Sequence, residues 1–114
     1  ALKSSQSGAT AALGDAAQRL QLWVALHPRD AQAWQLLSGV NAAQGQPLRA
    51  IRAEAEAQVA VLDYAAALDR FKAAQEFLRQ ARGSNGAADH IDASIIDTRR
   101  RQVELLLKEQ ALDR

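Results

Sequence analysis

The chain has 114 residues, the length of one small domain. Its formal net charge of +1 is too small to favour nucleic acid or an anionic membrane surface as a partner. About a quarter of the residues are alanine, aromatic residues are few, and only two prolines and six glycines interrupt the chain, so the composition predicts an all-α fold. The absence of cysteine excludes disulfides and thiolate metal sites, and no apolar run is long enough to span a bilayer.

Five helices are predicted in chain order from the periodicity of apolar residues. They run from Ala9 or Asp15 to Leu26, from Ala31 to Gln44, from Leu48 to Leu62, from Tyr64 to Ala81 and from Ala88 to Leu112. The corresponding organisation is a disordered or extended segment over residues 1–8, helical repeats over 9–82, a loop over 83–87 and a C-terminal helix over 88–114 packing on the repeats. Short connections between the helices favour antiparallel neighbours, and thus stacked helical hairpins.

Local stop and start signals set these boundaries. Pro28 cannot continue the first helix, and Asp30 is suited to cap the second by accepting a hydrogen bond from a free backbone N–H. Gly45 suits the left-handed position that ends a helix, and Pro47 suits the first turn of the next. The run 83–86, Gly-Ser-Asn-Gly, is the clearest loop in the chain.

The apolar faces of the helices follow from the same periodicity. They comprise Ala16, Leu20, Trp23 and Val24 on the first helix; Leu68, Phe71, Ala74, Phe77 and Leu78 on the fourth; and Ile91, Ile95, Val103, Leu106 and Leu107 on the last.

The spacing of small and large residues is typical of tetratricopeptide repeats (TPRs), whose period is 34 residues. Trp34-x₂-Leu37-Ser38 matches the start of the repeat pattern, and Ala16 and Ala50 stand one period of 34 residues apart. Trp34 is expected to be buried with the small Ala50 opposite it. The pattern predicts a short TPR-like solenoid ending in a long helix, and an unrelated helical bundle with the same packing chemistry remains the alternative.

A second match lies about half a period out of phase. Tyr64-x₂-Ala67-x₃-Phe71-x₂-Ala74 resembles the second helix of a repeat, although Ala67 follows Ala50 by only 17 residues. The sequence therefore leaves the repeat phase open.

A more specific resemblance covers most of the chain. It is carried by five short segments: residues 33–37 (Ala-Trp-Gln-Leu-Leu), the turn 45–47 (Gly-Gln-Pro), residues 52–55 (Arg-Ala-Glu-Ala), residues 64–68 (Tyr-Ala-Ala-Ala-Leu) and residues 91–93 (Ile-Asp-Ala) in the terminal helix. Together they resemble the tetratricopeptide tail of secreted bacterial zinc metallopeptidases. The periplasmic β-barrel assembly-enhancing proteases belong to that group.

The resemblance implies a location in the periplasm and a separate N-terminal protease domain that holds zinc through a His-Glu-x-x-His helix. It also implies protein or peptide partners, such as misfolded outer-membrane proteins or the assembly machinery. The lack of any methionine favours an excised piece of a longer protein.

No catalytic motif is expected within the chain itself. His27 and His90 are far apart in sequence, and neither begins a His-Glu-x-x-His motif, so both are interpreted as surface histidines. The sequence thus predicts no catalytic residue, no metal ligand and no cofactor in this segment, with zinc expected only in the missing protease domain.

The basic run 99–101, Arg-Arg-Arg, is the strongest charge feature. Consecutive helical residues point about 100° apart, so three guanidinium groups do not form one patch. Asp97 and Glu104 can neutralise them as helix neighbours, and a solvated helix surface is the preferred interpretation.

Partner-binding candidates follow from the two repeat phases, since the first helix of each hairpin lines the groove of such a solenoid. One phase places Gln32 and Gln35 there, and the shifted phase places Arg49, Arg52 and Glu56. Arg49 and Arg52 share one helical face and could hold a carboxylate or backbone oxygens. The competing interpretation is that the arginines only pair with acids such as Glu56.

The predicted function is therefore a protein-interaction module, the substrate- or partner-binding tail of a zinc-dependent metallopeptidase. A stand-alone helical scaffold or adaptor with no enzymatic parent is the alternative, and an enzyme within the segment is the least favoured reading. A His-Glu-x-x-His helix upstream of Ala1 would distinguish the first two.

Overall fold

The structure is a computed structural model that describes residues 2–81 and 87–113, with side chains described for 8–81 and 90–113. The described residues contain five α-helices and no strand. They are α1 (Leu2–Leu26), α2 (Ala31–Ala43), α3 (Pro47–Ala60), α4 (Tyr64–Gln80) and α5 (Ala87–Leu112). The predicted all-α arrangement of helical hairpins is confirmed. No helix in the described part of the chain is long and apolar enough to cross a membrane.

Aspartate side chains begin two of the helices. Asp30 accepts a hydrogen bond from the backbone N–H of Ala33 at 3.0 Å, and Asp63 accepts one from Ala66 at 3.1 Å. Each carboxylate satisfies a backbone donor that has no partner within the first turn of its helix, which fixes where α2 and α4 start.

Two helices end in the same hydrogen-bonded motif but with different residues. After α2, the N–H groups of Gly45 and Gln46 donate to carbonyls in the last turn, and Gly45 has a φ of 73°. After α3, Leu62 and Asp63 make the equivalent bonds, and Leu62 has a φ of 64°. The left-handed position is therefore occupied once by glycine, which tolerates it, and once by leucine, which does not.

Consecutive helices pack against one another along the whole chain, from α1 on α2 to α4 on α5. Beyond these sequential contacts, α3 also touches α5, whereas α2 and α4 stay apart within the described residues. The helices thus form two layers, α1, α3 and α5 over α2 and α4, in a body of 59 × 33 × 18 Å.

The core has two parts that meet on α3. Ala53 and Ala57 pack with the buried Trp34 and with residues of α1 and α2, while Leu48 and Ala55 belong to a second cluster with α4 and α5. Small side chains on both sides of α3 let α2, α4 and α5 approach it closely. Trp34 is 9 % exposed, which confirms its predicted burial. The residues of α3 in its cluster are Ala53 and Ala57, not Ala50, which was expected opposite it.

The N-terminal segment and the face of the last helix differ from the sequence prediction. Residues 2–8 are helical instead of extended or disordered, because they contain no proline and most favour a helix or tolerate it. On α5, Ile91 is 62 % exposed, and the buried face comprises Asp92, Ile96 and Val103. The predicted loop over 83–87 lies outside the described residues except for Ala87, which begins α5.

Candidate binding groove

A groove of about 510 Å³ opens on the face formed by α1, α3 and the start of α5, with α2 beneath it. Because no close backbone contact joins α1 to α3 in the described chain, the space between these helices is left open above α2. This groove is lined by Gln21, Val24 and Ala25 of α1, Pro28, Trp34, Leu37 and Asn41 at its floor, Arg49, Arg52 and Ala53 of α3, and Ile91, Asp92 and Ile95 of α5.

The floor of the groove is a stripe of α2. Trp34, Leu37 and Asn41 are three and four residues apart, so they lie on one face of the helix, and all three are buried. The indole Nε1 of Trp34 donates to the carbonyl oxygen of Pro28 at 2.9 Å, which fixes the orientation of the ring. The floor is therefore rigid and apolar with a single amide at one end.

Arg49 lines the wall of the groove and is partly neutralised. Its Nε lies 3.4 Å from Oδ2 of Asp92 on α5, and its side chain remains 39 % exposed. The guanidinium thus joins α3 to α5 while keeping donors available on the groove side.

Arg52, one helical turn further along α3, has no acidic partner in the described part of the chain. Its Nε is buried and makes no hydrogen bond there. Arg52 does not form the alternative ion pair with Glu56, because the Glu56 carboxylate is bound to Arg99.

Glu56 is instead buried and bound to Arg99 of α5. The two carboxylate oxygens accept hydrogen bonds from Arg99 Nε at 2.8 Å and from its Nη2 at 2.7 Å. Donating hydrogen bonds to the Glu56 carboxylate raises the pKa of the Arg99 guanidinium above its usual value, against the opposing effect of burial. Glu56 therefore holds α3 and α5 together and is not offered to a partner, contrary to its place among the binding candidates.

The two glutamine candidates lie elsewhere. Gln32 and Gln35 are exposed on α2, and neither lines the groove. They flank Ala33 and Trp34, which belong to the core, and both glutamines face away from it. Of the five predicted binding residues, the structure brings only Arg49 and Arg52 together on the groove.

The corner between α1 and α2 carries the first histidine. His27 is exposed and its ring lies 4.0 Å from that of Trp23, whose Nε1 donates to Asp30 Oδ2 at 2.8 Å. This indole hydrogen bond, followed by the one from the Ala33 N–H, lowers the pKa of the Asp30 carboxyl from 3.8. His90 is also exposed, near the start of α5.

The basic run 99–101 divides among three acids. Arg101 pairs with Asp97 at 3.0 Å and Arg100 with Glu104 at 3.4 Å, as the helix spacing predicts. Arg99 turns inward to Glu56, a contact between helices that helix spacing does not predict.

Sequence reasoning missed Asn41, Asp92 and Arg99 as residues of this region. Asn41 carried a signal, because it stands where the repeat pattern usually has an aromatic residue. Asp92 and Arg99 gave none, since both look like ordinary surface charges until α5 is placed against α3.

No group of three or more histidine, aspartate or glutamate side chains in the described residues is arranged to hold a metal ion. Comparison with protein families, with curated proteins and with solved structures gives no match for this chain.

Proposed function

We propose that the chain is a protein-interaction module and that the groove binds an extended peptide segment of a partner. The observation that carries the proposal is the pair of arginines on the groove wall, of which Arg52 has no acidic partner in the described chain. A half-neutralised pair of guanidinium groups above an apolar floor suits a peptide with an acidic side chain or carboxylate.

The dimensions of the groove support a peptide rather than a flat protein surface. Its volume of about 510 Å³ is in the range of pockets that enclose small ligands, and a few residues of an extended chain fill such a space. Trp34 and Leu37 contact apolar parts of the peptide. Arg49 and Arg52 bind its acidic group and so set its orientation in the groove.

The parent protein is a separate proposal. The resemblance to the tetratricopeptide tail of periplasmic zinc metallopeptidases supports a TPR-like module that holds protein substrates or assembly partners for a protease domain. A stand-alone scaffold uses the same groove without that domain, and a His-Glu-x-x-His helix in the reading frame upstream distinguishes the two.

Selection from a library of short random-sequence peptides tests the groove. We expect the chain to retain peptides with an acidic group, and Arg52→Ala to lower their affinity by about tenfold, the contribution of one hydrogen bond to a charged group. Because Arg52 has no salt bridge in the described part of the chain, the variant should keep its melting temperature. Arg49→Ala is a less clean test, since it leaves the mostly buried Asp92 without its partner.

Arg19 and Arg101 provide matched controls. Their side chains are 80 % and 73 % exposed and lie outside the groove, so replacing either by alanine removes the same charge without touching the site. Equal loss of affinity in Arg52→Ala and in the controls would show attraction by overall charge alone. Failure to retain any peptide would refute the proposed function.

A further inference from the structure

Buried polar atoms without partners concentrate at the groove. In the described residues, three buried side-chain atoms lack a hydrogen bond: Asn41 Oδ1, Arg52 Nε and Arg100 Nε. The first two line the groove, one at its floor and one on its wall. Asn41 Oδ1 is an acceptor and Arg52 Nε is a donor, so the groove has one unused hydrogen-bond acceptor and one unused donor.

Asn41 is the less expected of the two. Its side chain is only 2 % exposed, and an unpaired acceptor in such a place is unfavourable. Three residues earlier, the equally buried Ser38 donates its hydroxyl to the carbonyl oxygen of Ala50 at 2.8 Å. The fold thus satisfies one buried polar side chain of α2 and leaves the oxygen of the next one without a hydrogen bond, on a residue that lines the groove.

We infer that Asn41 and Arg52 together recognise the main chain of the bound peptide. Asn41 Oδ1 accepts a hydrogen bond from a peptide N–H, and Arg52 Nε donates to the carbonyl oxygen of the same residue. A residue in an extended chain presents its own N–H and C=O along one edge, which is how neighbouring strands pair. The inference rests on the proposed function and adds to it that part of the recognition is independent of the peptide's side chains.

Access to Asn41 requires a small rearrangement. Its Oδ1 is shielded from water in the free chain, so neighbouring atoms must shift before a peptide can reach it. Arg52 has no ion pair to lose in the described part of the chain, and arginine has many accessible rotamers. Arg52 Nε is buried as well, so a change of its rotamer is needed to bring this donor to the peptide.

Systematic N-methylation of a library-selected peptide tests the inference on the unmodified protein. Each peptide N–H is replaced in turn by N–CH₃, which removes one donor and keeps every side chain. We expect one position at which methylation lowers affinity by about tenfold, while others change it little. If no position stands out, the main-chain contact does not exist.

Asn41→Leu supplies the second arm, since leucine has a similar size and no acceptor. The variant should fold at least as stably as the original chain, because it removes an unpaired buried oxygen, and should bind the peptide about tenfold more weakly. In Asn41→Leu the sensitive N-methylation should have no further effect. Asn41→Ala serves the same comparison if leucine does not fit.

The two proposals fail in different ways. Unchanged binding by Asn41→Leu, with loss of binding in Arg52→Ala, overturns main-chain recognition by Asn41 and leaves the groove as the peptide site. A lower melting temperature in Asn41→Leu with unchanged affinity shows that the amide serves the fold alone. Absence of any selected peptide overturns both.

Discussion

Asp30 fixes the corner between α1 and α2 through two hydrogen bonds. Its carboxylate accepts from the Trp23 indole at 2.8 Å and from the Ala33 backbone N–H at 3.0 Å, one oxygen for each donor. Both bonds favour the ionised form and lower its pKa, the indole bond most. The corner that supports Trp34 and Pro28 at the groove floor therefore depends on one negative charge.

This charge predicts an acid-sensitive contribution to stability. Because the folded pKa of Asp30 lies below the unfolded value of 3.8, its contribution is fully present above 3.8 and is lost as the pH falls through the folded pKa. Asp30→Asn should lower the melting temperature at neutral pH. The difference from the original chain should shrink as the pH falls to about 2. Thermal melts followed by circular dichroism over this range check the prediction, and a difference that stays constant contradicts it.

Leu62 occupies a backbone conformation that leucine rarely adopts. Its φ of 64° costs about 1–2 kcal/mol in a residue with a Cβ, and its side chain is 60 % exposed, so little packing compensates. Leu62→Gly should therefore raise the free energy of unfolding by about 0.5–1 kcal/mol, after the greater flexibility of glycine in the unfolded chain is offset.

Gly45 is the matched control for this effect. It has a φ of 73°, and nothing lies within 4 Å of an added Cβ, so Gly45→Ala costs backbone strain without a clash. We expect a loss of about 1 kcal/mol in chemical denaturation. The same sign of change in both variants would contradict the explanation.

At the scale of helices, the junction of α3 and α5 depends on Glu56 and Arg99. Glu56→Gln keeps the shape of the side chain and removes its charge, so Arg99 loses a two-point ion pair whose side chains are 29 % and 8 % exposed. Because Arg99 keeps some contact with water, we expect a loss of about 1.5–3 kcal/mol in the free energy of unfolding. Urea denaturation measures it.

Asp97→Asn provides the comparison on the same helix. Asp97 pairs with Arg101, but the two side chains are 41 % and 73 % exposed, so water screens the interaction. Its loss should cost less than about 1 kcal/mol. Similar costs for the two variants would mean that the buried pair contributes no more than a surface one.

The helix boundaries were predictable because their signals are local. Asp30, Gly45 and Pro47 act on their own turns, and the predicted ends agree with the structure within two residues at each of these places. The start of α1 gave no such signal, and a segment predicted to be extended or disordered is helical from Leu2 onward.

The face of α5 and the contents of the groove depended on contacts that a single helix does not reveal. Periodicity placed Ile95 on the apolar face, whereas the adjacent Ile96 is the fully buried residue. The charged Asp92 obscured the stripe to which Ile96 belongs. Arg49 and Arg52 line the same groove because three residues separate them on one helix. The bond between Glu56 and Arg99 gave no signal in the sequence because 43 residues separate the two.

For the whole molecule, the number of neighbours that each helix packs against determines which helix unfolds locally first. In the described residues, α1 makes close backbone contacts with α2 alone, and from residue 8 onward its first buried residue is Ala17. α3 touches α2, α4 and α5 and has alanines buried on both sides. In such a stack, stability depends on the contacts of each helix with its neighbours.

Hydrogen exchange should follow this order. We expect the backbone amides of residues 8–16 to exchange fastest and those of α3 slowest, because opening α3 requires disruption of both core clusters. Mass spectrometry of deuterated peptides resolves the two regions. Equal protection in both would show that the chain opens only as a single unit.

The contact between α3 and α5 also has a consequence for the sequence of events during folding. Neighbouring helices can dock as soon as each hairpin is formed, whereas the Glu56–Arg99 bond must close a loop of 43 residues that includes all of α4. We therefore expect this bond to form after the transition state, so that its removal accelerates unfolding and leaves the refolding rate nearly unchanged. The wall that brings Asp92 beside Arg49 is then the last part of the groove to be completed.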